Sequence, residues 1–597
     1  MNKMWICMWT LPVSLMLASV SIAQDDESDN VEEVVVQGLR ATQGGAQDID
    51  FFRGEVQQAR IPHPSTLTAE GLFSQHDLLL TSSEQCKQLF CLFGESIQAN
   101  LIAQPEAKIL VGLGFATNVQ PDKWQRGPLN LVAVVDKSGS MEGHPLDMVR
   151  SSLKKITERM RDGDQLTVVL YGDRSHVHLE PIHTSKKNKK EILHSIDAIE
   201  SSGSTYMEAG LRLGYEVAFD SKRSFKGTTR VMLFTDERPN VGATDANSFI
   251  GMARSASNKG VGLTTIGVGQ QFGAELATKI SSIRGGNLFF VQNAQDVETL
   301  YDKEFDYMVS ELAHDLRIEI TAHPDYSIAG VYGVPGESLG WQKDRTVSIT
   351  VPTVFLSSKG GAIFFTLAKH IEDAHLPQKP INPGADLASI EMQYVSVTDD
   401  KQERYSLAVK NDSDRPSENM QLGHFLVDEF TALHRATSEH YFNNDQEKAY
   451  QILNTLKGKV SQSGSRALDG EKELIYALEE RFAFISGHGS ELGKKSNFAK
   501  LWGVWEITRV RGDVEWKRGD KLEFSVDNEY RLYRKEDSVY QLVEQEEYKS
   551  NNEQIFLYYH ELTLDYRVSD EKLRLKHRRK KVDLRLARST LNGLSQN

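Results

Sequence analysis

Apolar runs and helical spacing alternate along residues 127–312. The first run, Leu129 to Val135, is almost continuous and ends in Asp136, as expected of a central parallel strand buried on both faces. Because strands and amphipathic helices then follow one another regularly, we predict a doubly wound, Rossmann-like α/β sheet that binds ligands at the carboxyl ends of its strands. The pattern places further strands at 165–171, 230–235, 261–268 and 287–291, and helices at about 186–200, 206–219, 247–258, 273–283 and 295–310.

Strand-like alternation flanks this region on both sides, at 97–117 before it and in four stretches between 316 and 397 after it. The simplest arrangement is one β-sandwich-like domain built from both flanks, with the α/β domain inserted in it. Helical spacing then marks a helical segment, and short strands predict a small C-terminal β-barrel. The predicted fold class is therefore multidomain α/β.

The N-terminus has the pattern of a secretory signal. Lys3 precedes an apolar stretch from Met4 to about Leu17, and Ser21-Ile22-Ala23 forms a small-x-small end, so we expect cleavage after Ala23. The alternative is an N-terminal membrane anchor, although the stretch is short for a span. No later stretch approaches the length of a membrane span, so the mature chain is expected to be exported, in a periplasm or an equivalent compartment.

Composition narrows the classes of partner. The chain has 69 Lys and Arg against 83 Asp and Glu, a formal net charge of −14, which argues against nucleic acid as the main partner. Its 3 cysteines exclude a Cys-based zinc cluster. Once Cys7 leaves with the signal, Cys86 and Cys91 remain, and a disulfide between them is expected in an oxidising compartment. The alternative is two buried free thiols.

The segment from Glu32 to Gly38, EEVVVQG, follows an acidic run. It resembles the TonB box of TonB-dependent outer-membrane receptors, and the resemblance implies a contact with TonB. The alternative is an incidental β-prone linker segment. The full predicted division is a signal peptide (1–23), this acidic linker (24–60), an N-terminal β region (61–126), the α/β domain (127–312), a β-sandwich-like region (313–410), a helical region (411–490) and a small barrel (498–590).

Oxygen-bearing side chains gather where three of the predicted α/β strands end. No sulfur or imidazole accompanies them, and hard divalent cations prefer such all-oxygen shells. Each short motif alone could be chance or a helix cap, since Asp and Ser are good N-caps. Their order and position favour a cation site. The candidate ligands are Asp136, Ser138 and Ser140 in the first loop, Thr205 in the second and Asp236 in the third.

This set resembles the metal-ion-dependent adhesion site of von Willebrand factor type A domains. The D-x-S-x-S motif, the threonine and the distal aspartate are all present. The resemblance implies a divalent cation, Mg2+ first and Mn2+ or Ca2+ as options, whose shell is completed by an acidic side chain of a partner protein. Glu237, where many relatives have Gly, departs from the pattern and adds negative charge beside the site.

Two further resemblances extend beyond the site. Residues 203–211 and 285–291 look like bacterial YfbK-like exported proteins and the calcium-activated chloride channel homologues. The Gly503-Val504-Trp505 opening of the last domain is similar to lipocalin-like barrels. Within that domain, residues 572–588 alternate basic and apolar side chains. A solvated outer strand face explains this pattern, and binding to an anionic polymer or lipopolysaccharide is the alternative.

The sequence gives no support for a catalytic site. Residues 336–340 fit G-x-S-x-G, but Pro335 precedes them where the motif needs a buried strand. His176, His178 and His183 lack metal-ligand spacing and suit an exposed loop. We therefore predict an exported, cation-dependent protein-binding protein (adhesion or scaffold) and no enzyme. The alternative is a cell-envelope scaffold with a structural metal, whose N-terminal arm and C-terminal barrel make the contacts.

Overall fold

The described part of the chain lies between residues 40 and 590 of a computed structural model. It omits 44, 47–48, 58–59, 81–85, 120–123, 237–245, 270–278, 280–282, 284, 335–344, 358–359, 370–381, 413–415, 489–499, 513, 526–528, 537–538, 551–552, 558–561 and 578–580. The predicted signal peptide and its cleavage after Ala23, the TonB-box-like segment from Glu32 to Gly38, Glu237 and the G-x-S-x-G segment 336–340 lie outside the described residues.

The strands fall into three open or mixed sheets and one C-terminal sheet that closes on itself. In chain order they are β1 Arg40–Gln43, β2 Gly45–Ala46, β3 Phe90–Gln98, β4 Ala107–Thr117, β5 Leu129–Asp136, β6 Gln165–Tyr171, β7 His176–His183, β8 Thr228–Thr235, β9 Val261–Val268, β10 Gly286–Val291, β11 Glu311–Ala322, β12 Tyr326–Tyr332, β13 Thr346–Ser357, β14 Ala362–Lys369, β15 Asp386–Ser396, β16 Gln402–Lys410, β17 Gly503–Arg511, β18 Lys521–Phe524, β19 Glu529–Glu536, β20 Val539–Ser550, β21 Gln554–Leu557, β22 Leu562–Val568, β23 Lys572–His577 and β24 Val582–Ser589.

Helices cover the middle sheet and build a separate layer after residue 417. A π-helical turn, Leu300–Glu304, separates two short helices where the pattern predicts one continuous helix at 295–310. The helices are α1 Asp50–Gln57, α2 Ala69–Ser74, α3 His144–Arg159, α4 Lys189–Asp197, α5 Met207–Lys222, α6 Ala246–Asn258, α7 Ala294–Thr299, α8 Phe305–Met308, α9 Glu418–Asn443, α10 Gln446–Gln462 and α11 Asp469–Ile485.

The middle sheet has the order β2-β10-β9-β8-β5-β6-β7 and is parallel except for β7. Every residue of β5 is buried, because its alternate side chains enter two different cores. Leu131 and Val135 pack on the side of α3 and α4, whereas Val132 and Val134 pack on the side of α5 and α6. The doubly wound α/β sheet predicted from the pattern is thus observed, and its carboxyl edge is set by the end of β5.

Two further sheets pack face to face and share one core. Their orders are β1-β13-β11-β15-β16 and β12-β14-β4-β3. Ile109 and Val111 of β4 pack with Ile318 and Ile320 of β11 in this core. The strands of the α/β sheet, β5–β10, lie in the chain between β4 and β11.

The helical layer buries the apolar faces that the spacing predicts. Leu426 and Phe430 of α9, Leu453 of α10 and Leu478 of α11 lie in one core. Helix α1 contributes Phe52 to the same core. After α11, β17–β24 pair each with the next in antiparallel fashion, and β17 also pairs with β24, so this curled sheet closes.

Three differences from the sequence pattern have physical causes. His176–His183, predicted as an exposed loop, is edge strand β7, where Leu179 packs inward and the polar side chains face solvent. The stretch 97–117 is divided between β3 and β4, since residues 99–106 turn the chain. Within the predicted linker 24–60, the last part forms β1, β2 and α1, because Phe52 and Val56 give α1 an apolar face.

Candidate metal centre

The carboxyl ends of β5, β6 and β8 lie side by side at one edge of the α/β sheet. The register places Asp136 opposite Tyr171 of β6, and Val135 opposite Phe234 of β8. Asp236 directly follows β8, so the two predicted aspartates occupy adjacent strand ends. Both are buried, with Asp136 0% and Asp236 1% exposed.

The D-x-S-x-S loop folds back on the first aspartate. The amide of Ser138 donates to Asp136 Oδ1 at 2.9 Å, and the hydroxyl of Thr235 donates to Asp136 Oδ2 at 3.3 Å. The hydroxyl oxygens of Ser138 and Ser140 lie 3.1 Å apart. Ser138 is buried and Ser140 is exposed, so this loop carries oxygen donors from the interior to the surface.

Backbone hydrogen bonds hold the threonine loop against the first loop. Gly139 N donates to Gly203 O at 2.9 Å, and Ser202 N donates to Lys137 O at 2.6 Å. Thr205 is buried and follows these contacts directly in the chain. The predicted ligands Asp136, Ser138, Ser140, Thr205 and Asp236 therefore belong to three loops that meet at one edge of the sheet.

A third contact fixes the threonine loop from the other side. Asp173 Oδ1 accepts hydrogen bonds from the amide and hydroxyl of Ser204, at 2.8 and 2.6 Å. These bonds lower the pKa of Asp173. Gly203 has φ +87°, and a Cβ there would lie 2.6 Å from the Asp173 carboxylate, so the turn needs glycine for two reasons.

The electrostatics of the site favour a bound cation. Burial and the charge of Asp236 raise the pKa of Asp136 to about 7. Among the described residues, no Lys or Arg forms an ion pair with Asp136, and the ammonium of Lys137 instead bonds Ser202 O at 3.2 Å. Two neighbouring buried carboxylates with hydroxyls around them fit the all-oxygen shell of a hard divalent cation, which would offset their repulsion.

Some contributors were missed by sequence reasoning. Thr235 adjoins Asp236, and Tyr171 ends β6 opposite Asp136, so strand-end position was the available signal for both. The pKa of Tyr171 is raised well above its usual value by burial and by the charge of Asp136, so it stays neutral. Asp173 and Lys137 lie in loops whose pairing depends on the fold.

Three further features bear on the predictions made from the sequence: the cysteine pair, clusters of metal-binding side chains and membrane-spanning helices. Cys86 and Cys91 are joined by a disulfide. In the described part of the chain, no group of three or more His, Cys, Asp or Glu side chains is arranged to hold a metal ion. The helices described there include none long and apolar enough to cross a membrane.

Comparison with known proteins identifies the type of domain to which the α/β sheet belongs. Residues 130–303 match the von Willebrand factor type A domain family. The uncharacterized protein YfbK of Escherichia coli (strain K12) is 32% identical over 198 residues, which cover 33% of this chain and 34% of that protein. Protein sll0103 of Synechocystis is 27% identical over 187 residues, 31% of this chain and 43% of that protein. A solved von Willebrand factor type A protein from Catenulispora acidiphila aligns with 65% of this chain and 89% of that chain, at 12% identity and a TM-score of 0.42.

These matches support different conclusions about the chain. The TM-score is below 0.5, so that likeness supports no functional argument. The chain spans less than half the length of the two curated relatives, and the predicted likeness to YfbK-like proteins is confirmed over that part. The chloride channel branch and the lipocalin-like assignment stay predictions. The family match covers Asp136, Thr205 and Asp236, and the chain therefore contains a von Willebrand factor type A domain.

Proposed function

We propose that this protein is an exported protein-binding protein, of adhesion or scaffold type, whose von Willebrand factor type A domain binds its partner in a divalent-cation-dependent manner. The observation that carries the proposal is the pair of buried carboxylates, Asp136 and Asp236, at adjacent strand ends with hydroxyls beside them. Such domains are generally protein-interaction modules. The proposal includes no catalysis.

Asp136, Ser138, Ser140, Thr205 and Asp236 would hold the cation. Mg2+ suits this set best because it accepts oxygen ligands and keeps open positions, and Mn2+ or Ca2+ are options. The cation would supply a positive charge that attracts an acidic side chain of the partner. Ser140 is exposed, so the site faces solvent on the side where that side chain would arrive.

Export is part of the proposal. The N-terminal signal pattern with cleavage after Ala23 supports it, and the disulfide between Cys86 and Cys91 suits an oxidising compartment such as the periplasm. Contact of the segment from Glu32 to Gly38 with TonB is an additional proposal that rests on sequence alone.

Asp136→Ala tests the cation step. Isothermal titration with Mg2+, Mn2+ and Ca2+ should show binding to the wild type and about a hundredfold or greater loss in the variant. Cross-linking in cells should capture the same partners with the wild type and lose them with the variant or with EDTA. The matched control is Asp220→Ala, which removes an exposed carboxylate, 73% exposed, from the far end of α5.

The alternative predicts a different result. If the metal is structural and the arm and barrel make the contacts, deleting residues 498–597 abolishes partner capture, whereas Asp136→Ala leaves it intact. Capture that persists in Asp136→Ala with EDTA present would reject the cation-dependent proposal.

A further inference from the structure

A row of four arginines crosses the outer face of the closed C-terminal sheet. β22, β23, β24 and β17 are neighbours in that order. Their register pairs Arg567 with Arg574, Arg574 with Arg585, and Arg585 with Arg509. Neighbouring strands are about 4.8 Å apart, so the row spans about 14 Å at the backbone. These four side chains are called the arginine row below.

Strand alternation turns the arginine row outward. Leu573 and Leu575 on β23, and Leu584 and Leu586 on β24, fill the interior of the sheet, so the intervening arginines face solvent. On β17 the register shifts between Ile507 and Arg509, which brings Arg509 opposite Arg585. Arg509, Arg567 and Arg585 are all exposed.

Like charges directly opposite one another on a sheet are unfavourable. Asp583 offsets this at one place, where it accepts bonds from Arg574 Nε at 2.8 Å and Nη2 at 2.6 Å. Within the described residues, Arg509, Arg567 and Arg585 form no ion pair. Three of the four cations are therefore available to an external anion.

The far side of the same sheet shows the opposite arrangement. There Arg534 bonds Asp520 at 2.8 Å, and Arg531 contacts Glu523 and Glu529. Arg531 and Arg534 are thus matched by acids on β18, on β19 itself and in the turn just before β18. The arginine row is thus a local feature of one face, in a chain whose net charge is −14.

We propose that the arginine row binds an anionic polysaccharide, whose successive acidic groups lie across the four strands. Guanidinium forks bind carboxylate or sulfate oxygens in pairs, and a line of them suits a linear polyanion better than a single ion. The outer face of a closed sheet is convex, so a flexible chain fits it better than a rigid duplex.

Apolar anchors are missing from this face in the described chain. The large apolar side chains that are exposed in the described residues, such as Phe442, Leu542 and Val543, all lie outside β17, β22, β23 and β24. The face thus offers neither a stacking surface for the bases of single-stranded nucleic acid nor an apolar group to enter a lipid layer. Charge is the feature that it presents.

The test uses the full chain in EDTA, so that the cation site makes no contribution. Polygalacturonate and dextran sulfate are the probes, with uncharged dextran as the blank. We expect wild-type binding that weakens as salt rises, because exposed charge pairs are screened. Combined Arg509→Gln, Arg567→Gln and Arg585→Gln substitutions should weaken it about tenfold or more.

The matched control is Lys186→Gln, Lys187→Gln and Lys190→Gln, three exposed lysines on the α/β domain, which should bind as wild type does. Melting temperatures of both variants establish that they are folded. The proposal is overturned if the wild type does not bind either polymer at low salt, if the arginine variant binds equally well, or if phosphatidylglycerol vesicles or duplex DNA bind the arginine row more tightly than the polymers. Its failure would leave the cation-site proposal untouched, since Asp136 has no part in the assay.

Discussion

Two pairs of buried carboxylates in this protein have different surroundings. At the edge of the α/β sheet, Asp136 and Asp236 lie beside hydroxyls and amides. In the helical layer, Glu429 of α9 and Glu471 of α11 also lie beside each other and are buried. There Arg53 Nη2 bonds both oxygens of Glu471, at 2.6 and 2.7 Å, and His76 Nε2 bonds Oε1 at 2.9 Å.

The two pairs therefore solve the same electrostatic problem by different means. In the helical layer, burial raises the pKa of Glu471, but the hydrogen bond from His76 and the charge of Arg53 outweigh it and lower that pKa to about 2. Burial and the charge of Glu471 raise the pKa of Glu429. One carboxylate is ionised against the guanidinium of Arg53, and its neighbour keeps a proton. At the sheet edge, the side chains offer oxygen ligands instead, which is what a site for an external cation requires.

Removing the charge of Arg53 should have the largest effect on stability. Arg53→Met removes the arginine charge from buried Glu471 and leaves it with the bonds from His76 and Glu429, and we expect a loss of about 3–5 kcal/mol in the free energy of unfolding. Urea denaturation measures it. Arg317→Met, at a position 60% exposed, is the control and should change stability little. Added Mg2+ should not rescue Arg53→Met, and a variant as stable as the control would contradict the assigned role of Arg53.

Cation binding at the edge of the α/β sheet should have the next largest effect on stability. Mg2+ at about a hundred times its dissociation constant should raise the free energy of unfolding of the wild type by about 2.7 kcal/mol. Asp136→Asn and Asp236→Asn should lose this gain because each removes a charge from the site. Glu429→Gln, in the other pair, should keep it. Urea denaturation with and without Mg2+ decides, and a response retained by Asp136→Asn would show that the ion binds elsewhere.

The sequence predicts the α/β domain well because its signals are local. The runs at 165–171 and 261–268 match β6 and β9 at both ends, since buried parallel strands are continuously apolar. The same local reading misses β7, whose edge position leaves its polar residues in solvent. Asp136, Thr205 and Asp236 could be predicted as candidate ligands because short motifs mark them in the sequence, in loops that the fold brings to one edge of the sheet.

Contacts between elements that are distant in the chain have no local sequence signal. Glu429 and Glu471 lie on different helices, and each looks like an ordinary polar position of an amphipathic helix. The basic character of residues 572–588 was visible, and its assignment to an outer strand face agrees with the exposure of Arg585. The alignment of Arg509 and Arg567 with that stretch depends on strand register and on a bulge in β17, which sequence spacing does not determine.

The smallest effect is a pH dependence of stability that arises at Glu429, in the helical-layer pair. The pKa of Glu429 is raised in the folded state, so the folded protein holds a proton there that the unfolded chain releases above about pH 4.3. Stability from this group is complete below that pH and is lost as pH rises toward the folded pKa. Glu429→Gln has no proton to lose, so we expect it to match the wild type near pH 4 and to exceed it by about 1 kcal/mol or more at pH 8. Urea denaturation over this range measures the difference, and a variant less stable than the wild type at pH 8 would mean that Glu429 is ionised in the folded protein.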